Sequence, residues 1–166
     1  MIRGSTRGLG SNLSFSKQAD LLENQTRSVA ESLIKNKSKS QRGPVLTGVL
    51  DKKTGDIFYG INSKLEVSNL HPILQKRLDA LKQRTGGKGN RPDYVNEIPG
   101  SHSEISAVNE ALKAREAAGA TITEDVLGDF ILHNKAIKGS GKGDFAPPRC
   151  PDCNELTKGV RVVGSE

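Results

Sequence analysis

Cysteine is nearly absent from this chain of 166 residues: there are two, Cys150 and Cys153. A lone pair at that spacing builds no disulfide framework. Histidine is almost as scarce, with three, so any metal centre must draw on few donors. No run of apolar residues approaches the length of a membrane span. The opening Met1-Ile2-Arg3-Gly4-Ser5 has no hydrophobic stretch after its basic residue, so it is not expected to be a secretory signal. It reads as a cut or engineered start, and the expectation is a domain excised from a longer protein. The length allows one domain with a single core and is too short for two comfortable ones. What the chain does carry is an excess of six positive charges. That balance favours a polyanionic partner or substrate, although a well-solvated surface accounts for it equally well.

Residues 1–16 are rich in Gly and Ser and are expected to form a flexible segment ahead of one domain over 17–166. Leu22, Val29, Leu33 and Ile34 fall near helical spacing and predict a helix over 17–36. A basic, polar connection from Lys35 to Gly43 ends at Pro44. Val45–Leu50 and Ile57–Ile61 read as strands, and Thr54-Gly55 between them marks a hairpin turn. Pro72 at a first-turn position, followed by Leu74, Leu78 and Leu81, gives an amphipathic helix that Gly86-Gly87 ends. A long loop then runs to Ser101, of the kind usually functional or disordered. Ser101 to Ala118 is the best helical stretch, with Ile105, Val108, Leu112 and Arg115 on one side and Gly119 as its stop. Phe130–Ile137 is a strand, Lys138–Gly143 a flexible loop, the cysteines open a short helix, and Val160–Val163 forms a last strand. This order predicts an α/β sandwich with a mixed sheet.

The chemistry concentrates in two places. His102-Ser103-Glu104 precedes, by roughly the length of a helix and a strand, the run Pro147-Pro148-Arg149-Cys150-Pro151-Asp152-Cys153. A His-x-Glu triplet with a Pro-rich Cys-x-x-Cys is the layout of a zinc-dependent nucleobase deaminase. His102, Cys150 and Cys153 supply three ligands for Zn2+ and leave the open position that catalytic zinc needs. Two cysteines three apart at a helix start can share one ion, and the free N–H groups there favour the thiolate. Pro151 suits a first helical position. Glu104 diverges from His102 on a regular helix, but with His102 near the cap both can face a site beyond the helix end. Glu104 is then the proton carrier between water, ring nitrogen and leaving ammonia.

Each half has a plainer reading. Ser101-His102-Ser103-Glu104 also fits a capping box, with Glu104 bonding back to the Ser101 amide. Cys-x-x-Cys alone fits a thiol oxidoreductase or half of a structural zinc site. The oxidoreductase reading is weakened by the late position of the pair, and a four-ligand site by the shortage of a fourth ligand, since only His71 and His133 remain.

On these residues the chain resembles the cytidine-deaminase-like superfamily, and in particular the bacterial toxin deaminases of the YwqJ-like type, over roughly residues 45–163. The resemblance implies a three-layer α/β/α sandwich with zinc held between the starts of two helices. It implies the tip of a polymorphic toxin, secreted as an effector, acting in the cytoplasm of a rival bacterium and neutralised at home by an immunity protein. It also implies that Asn62 lies against the target nucleotide, with Ser103 and Pro148 among the substrate contacts; Asn62 is equally well an ordinary turn residue. Two departures stand out. Arg149 separates proline from the first cysteine, where the common pattern puts them side by side, and the usual fifth strand is missing or supplied elsewhere.

For the substrate, Lys76, Arg77, Lys82, Arg84, Lys88 and Arg91 face a single acid, Asp79, between residues 76 and 91. Such a stretch can follow a phosphate backbone, with Lys88 and Arg91 contacting it. Tyr94 can stack on a base or pack onto its own loop, and His133 is a further candidate contact. A base in a duplex must be flipped out before its amine is reachable, and a single strand avoids that cost. The expected reaction is therefore cytosine to uracil in single-stranded DNA by a monomeric domain. RNA, duplex DNA or adenine remain open, and so does a non-catalytic zinc module that binds nucleic acid.

Overall fold

The computed structural model describes residues 12–91, 98–137 and 146–164. Most of the Gly- and Ser-rich start, Tyr94 and the loop Lys138–Gly143 lie outside the described residues. Helix α1 (Phe15–Asn36) begins where the Ser14 hydroxyl accepts the Lys17 amide, two residues earlier than its apolar spacing indicates. Its buried residues Leu22, Thr26 and Ala30 recur every four positions and form one stripe. The basic connection after it contains a single helical turn, α2 (Lys39–Arg42), closed by reciprocal Ser38 and Gln41 caps.

Strands β1 (Val45–Asp51) and β2 (Ile57–Ile61) form the expected hairpin, with Leu46 opposite Ile61 and Leu50 opposite Ile57. The Asp51 carboxylate accepts the Lys53 amide, and Gly55 supplies the positive φ of 76° that the turn requires. Helix α3 (Pro72–Thr85) is capped by His71 and ends at left-handed Gly86. Helix α4 (Ser103–Ala117) follows, then a 3₁₀ segment over Glu124–Asp129, strand β3 (Phe130–Ala136), helix α5 (Pro151–Leu156) and strand β4 (Arg161–Val162). The last strand is shorter than its apolar run, and the described residues contain four strands.

The sheet order is β2-β1-β3-β4, antiparallel except for the final β3–β4 pair, so the sheet is mixed. Helix α1 covers one face against Leu46, Leu50, Tyr59 and Ile131. Helices α3, α4 and α5 cover the other against Val49, Phe58 and Leu132. The result is the three-layer α/β/α sandwich anticipated from the sequence. Because side chains alternate across a strand, β3 sends Ile131 to the α1 side and Leu132 to the α4 side. The same alternation sends His133 toward α1 and Asn134 toward α4.

Close packing of α4 depends on Gly60 in β2. A Cβ there would stand 2.6 Å from the Ser103 carbonyl oxygen and 2.7 Å from the Ala107 nitrogen. At its far end α4 is tied down by Arg115. Its guanidinium donates to both Asp51 oxygens, at 2.8 and 2.6 Å, and to Asp129 at 3.2 Å. Arg115 thus joins the helix to the hairpin turn and to the entry of β3, rather than simply continuing an apolar stripe.

Candidate active site

His102 and Cys150 occupy equivalent places, each the N-cap of a helix in extended backbone conformation, His102 for α4 and Cys150 for α5. Cys153 lies in the first turn of α5, and its amide donates to the Cys150 sulfur. The His102 Nδ1 is 3.3 Å from each sulfur. All three donor atoms lie within 4.8 Å of one another. Tetrahedral ligands held about 2.0 and 2.3 Å from one zinc ion stand roughly 3.5 Å apart, so donor set and spacing both fit zinc. They are the metal-ligand cluster found among the described residues, and both cysteines are free thiols. The Cys150 thiol is drawn down to about 4, chiefly by the Cys153 thiol and further by His102, whereas the same partnership and burial push Cys153 up. The protein alone thus favours one thiolate, and a divalent cation would displace the proton that the second sulfur retains.

Glu104, in the first turn of α4, stands beside this cluster with Oε2 3.5 Å from the Cys153 sulfur and only 5 % exposure. Burial pushes its carboxyl above the usual range, while its own first-turn amide and the neighbouring His102 pull the other way. The capping-box alternative is not realised. The helix starts one residue later, the Ser101 hydroxyl donates to the Ile98 carbonyl, and the Glu104 carboxylate is engaged elsewhere. Asn134 donates to Glu104 Oε1 at 3.1 Å and to the Pro147 carbonyl at 3.1 Å. Its own carbonyl accepts the Thr47 hydroxyl at 2.6 Å, which in turn meets the Ser103 hydroxyl at 2.7 Å. Thr47 and Asn134 face each other directly across the β1–β3 ladder. This buried network fixes Glu104 and holds the Pro147 segment in front of it.

A cavity of about 170 Å³ opens over the cluster, with His102, Glu104 and Cys150 contributing to it. Its walls are Pro44-Val45, Asn62 and Pro147-Pro148. The Asn62 side-chain oxygen is buried without a hydrogen-bond partner, so this wall carries an acceptor with nothing yet to accept. A larger groove of about 580 Å³ runs along α3 past Gln75, Lys76 and Asp79 and contains none of these groups.

A family model for YwqJ-like deaminases matches residues 31–162. The chain belongs to the YwqJ-like deaminase family. Toxin YwqJ of Bacillus subtilis (strain 168) is 33 % identical to it over 129 residues, 76 % of this chain. The chain spans about a fifth of that relative's length, 20 %. No solved structure gives a significant match to the chain.

In this YwqJ-like deaminase domain, Asn62 and Pro148 line the cavity. Ser103 does not: it is fully buried, with its hydroxyl in the network beneath Glu104. His133 lies on the opposite face of the sheet, its Nδ1 2.9 Å from the Val163 carbonyl, next to Glu23 and Arg27 rather than the His102–Cys150–Cys153 cluster. Lys88 is exposed and Arg91 half-buried, on a segment whose Asn90 amide donates to Asp152 at the start of α5. Neither lines the cavity. Several cations of the basic stretch are already paired within the chain, among them Arg77 with Glu124, Lys82 with Glu66, and Arg84 with Glu155. Arg149, the residue interposed before the first cysteine, donates to the carbonyl and hydroxyl of Thr157 at 3.2 and 2.9 Å. It clamps the far end of the cysteine helix. Of the residues that sequence reasoning missed, Thr47 had a signal, a polar residue within the otherwise apolar Val45–Leu50 run, whereas Asn134 lies in the polar run His133-Asn134-Lys135 and had none.

Proposed function

We propose that this domain is a zinc-dependent nucleobase deaminase that converts cytosine to uracil in single-stranded DNA, as the toxin portion of an interbacterial effector. The observation that carries the reading is Glu104, buried and oriented by Asn134 beside a cluster of one imidazole and two thiols, at the floor of a ring-sized cavity. His102, Cys150 and Cys153 would hold the metal. Zinc bound there would acidify a coordinated water, lowering its pKa from about 15.7 toward about 7. Glu104 takes up one proton of the attacking water and delivers it to the ring nitrogen, then takes the second from the hydroxyl added to the ring carbon and delivers it to the amine, which leaves as ammonia. Its raised proton affinity suits both directions of transfer. Asn62 accepts a hydrogen bond from the substrate, and Pro147-Pro148 press on the ring and exclude bulk water.

Cavity size supports a pyrimidine. An apolar cavity of about 150 Å³ suffices for a benzene-sized ring, and the cavity here, about 170 Å³ and open on one side, has room for a pyrimidine. The net charge of +6 supports a polyanionic substrate, and an unpaired strand presents its base without the cost of flipping. A non-catalytic zinc module would gain nothing from burying the Glu104 carboxylate, which is costly unless used. The name of the relative, Toxin YwqJ, supports delivery into the cytoplasm of a target bacterium and a protective immunity protein in the producer.

The test is uracil formation in a cytosine-containing single-stranded DNA oligonucleotide, with duplex DNA, single-stranded RNA and an adenine-only strand in parallel. Product confined to the single DNA strand is expected. Product only from RNA or from adenine would replace the substrate, and no product from any of them with zinc bound would move the target to a modified, free or structured-RNA base.

A further inference from the structure

The loop between β2 and α3 leaves the cavity at Asn62 and is fastened at several points. The Ser63 amide donates to the Ser101 carbonyl at 2.8 Å, and the Val67 amide donates to the Gly100 carbonyl at 3.1 Å. Between these anchors Glu66 is ion-paired with Lys82 of α3, and the Leu65 amide donates to the Ser63 hydroxyl at 3.2 Å. The anchoring segment 100–101 runs directly into the zinc ligand His102. Ser63, Lys64, Leu65, Ser68 and Asn69 of this loop are exposed, and among them Lys64 alone carries a charge and Leu65 alone is apolar. Leu65 is 71 % exposed, the largest value among the exposed large apolar side chains of the described residues.

An exposed leucine on a mobile loop needs no explanation. Held by two backbone bonds, an ion pair and a turn, three residues beyond a cavity-lining asparagine and beside a lysine, it is a pre-organised contact. We infer that the Lys64-Leu65 tip receives the nucleotide next to the target base, with Leu65 against the neighbouring base and Lys64 on its phosphate. The occupant follows from continuity with the cavity and from charge: a strand whose base enters past Asn62 must pass along the same loop, and Lys64 offers the counter-charge to its backbone. The choice of neighbouring base in nucleobase deaminases is set by contacts to flanking nucleotides, so the tip is a determinant of sequence context. The inference rests on the nucleic-acid reading of the cavity.

The test combines binding and turnover. Binding of a fluorescently labelled single-stranded oligonucleotide with one cytosine is measured by anisotropy across a salt series, for the zinc-loaded wild-type chain, Leu65→Ala and Lys64→Ala. Deamination is measured on oligonucleotides that vary the base on either side of the cytosine. Because both side chains are exposed, thermal unfolding midpoints should match the wild type. Leu65→Ala is expected to weaken binding roughly three- to tenfold and to flatten the preference between neighbouring bases. Lys64→Ala is expected to reduce the slope of log affinity against log salt by about 0.7, the loss of one phosphate contact on a single strand. Unchanged affinity, salt slope and base preference in both variants would overturn the inference and leave the deaminase reading intact, with the tip then a protein contact. Tip-dependent binding without deamination of any base would keep the nucleic-acid contact and overturn the reaction. No binding of any single strand by the wild type would overturn both.

Discussion

Replacing Asn134 tests whether Glu104 works because it is held. Its amide is the donor to Glu104 Oε1, at 3.1 Å, and the pair is buried. Hydrogen bonds to charged groups contribute about 1.5–3 kcal/mol, and about 1.4 kcal/mol is tenfold in rate. If that bond orients Glu104 in the transition state, Asn134→Ala lowers kcat roughly 10- to 150-fold. KM changes little, because Asn134 does not line the cavity. The substitution also takes one of the Thr47 hydroxyl's two partners and strands the Pro147 carbonyl, at about 1–3 kcal/mol for a buried group left unsatisfied. For a domain of this size that lowers Tm by roughly 2–12 °C, so turnover is measured well below the transition and zinc is quantified in the same samples. Asn134→Asp keeps the shape but sets a carboxylate against Glu104, and should be worse than alanine in kcat while less disruptive to packing. A kcat within about twofold of wild type, at full zinc content, would refute the reasoning; so would a loss explained entirely by missing zinc.

Gly60→Ala places a Cβ 2.6 Å from the Ser103 carbonyl oxygen, contact with backbone that cannot turn aside; overpacking of about 1–3 kcal/mol should appear in denaturant unfolding, and activity should fall further than stability because α4 carries Glu104. Arg115→Ala leaves the 2 %-exposed Asp51 side chain without its bidentate partner, and a destabilisation of about 3–5 kcal/mol is expected in urea titrations, with an unchanged midpoint as the contrary result. Burial raises the Tyr59 hydroxyl from 10.0 to about 12. Above pH 10 the unfolded chain therefore releases this proton before the folded one, and stability falls as pH rises from about 10 to about 12, by up to roughly 2–3 kcal/mol; Tyr59→Phe should remove that share of the alkaline loss.

The grouping of His102, Cys150 and Cys153, which could hold a metal ion, was legible because such a donor set demands particular residue types at particular spacings, and local geometry delivered both. Two helix N-caps, at His102 and Cys150, converge wherever the chain brings two helix starts to one edge of a sheet. Contacts depending on distant partners were not legible. The basic run over 76–91 read as a phosphate track because the acids that pair with it, Glu66, Glu124 and Glu155, come from three other segments. His133 and Asn134 adjoin in sequence, yet strand alternation puts only Asn134 on the α4 face, beside Glu104. Burial of β3 on both faces hid this, since the strand shows no apolar–polar rhythm to reveal which side is which. Ser101–Glu104 fits a capping box by composition, and burial of Glu104 beside the thiols prevails over the cap. The rim lysine and leucine were silent in sequence, because exposure matters there only once the loop is seen to be fixed.

The most direct test of the account is the Glu104→Ala protein, assayed for zinc by elemental analysis and for uracil formation in single-stranded DNA beside the wild type. The account predicts one zinc per chain in both proteins, and product formed by the wild type alone. Zinc lost with Glu104, or product still formed without it, would contradict the role given to this carboxylate.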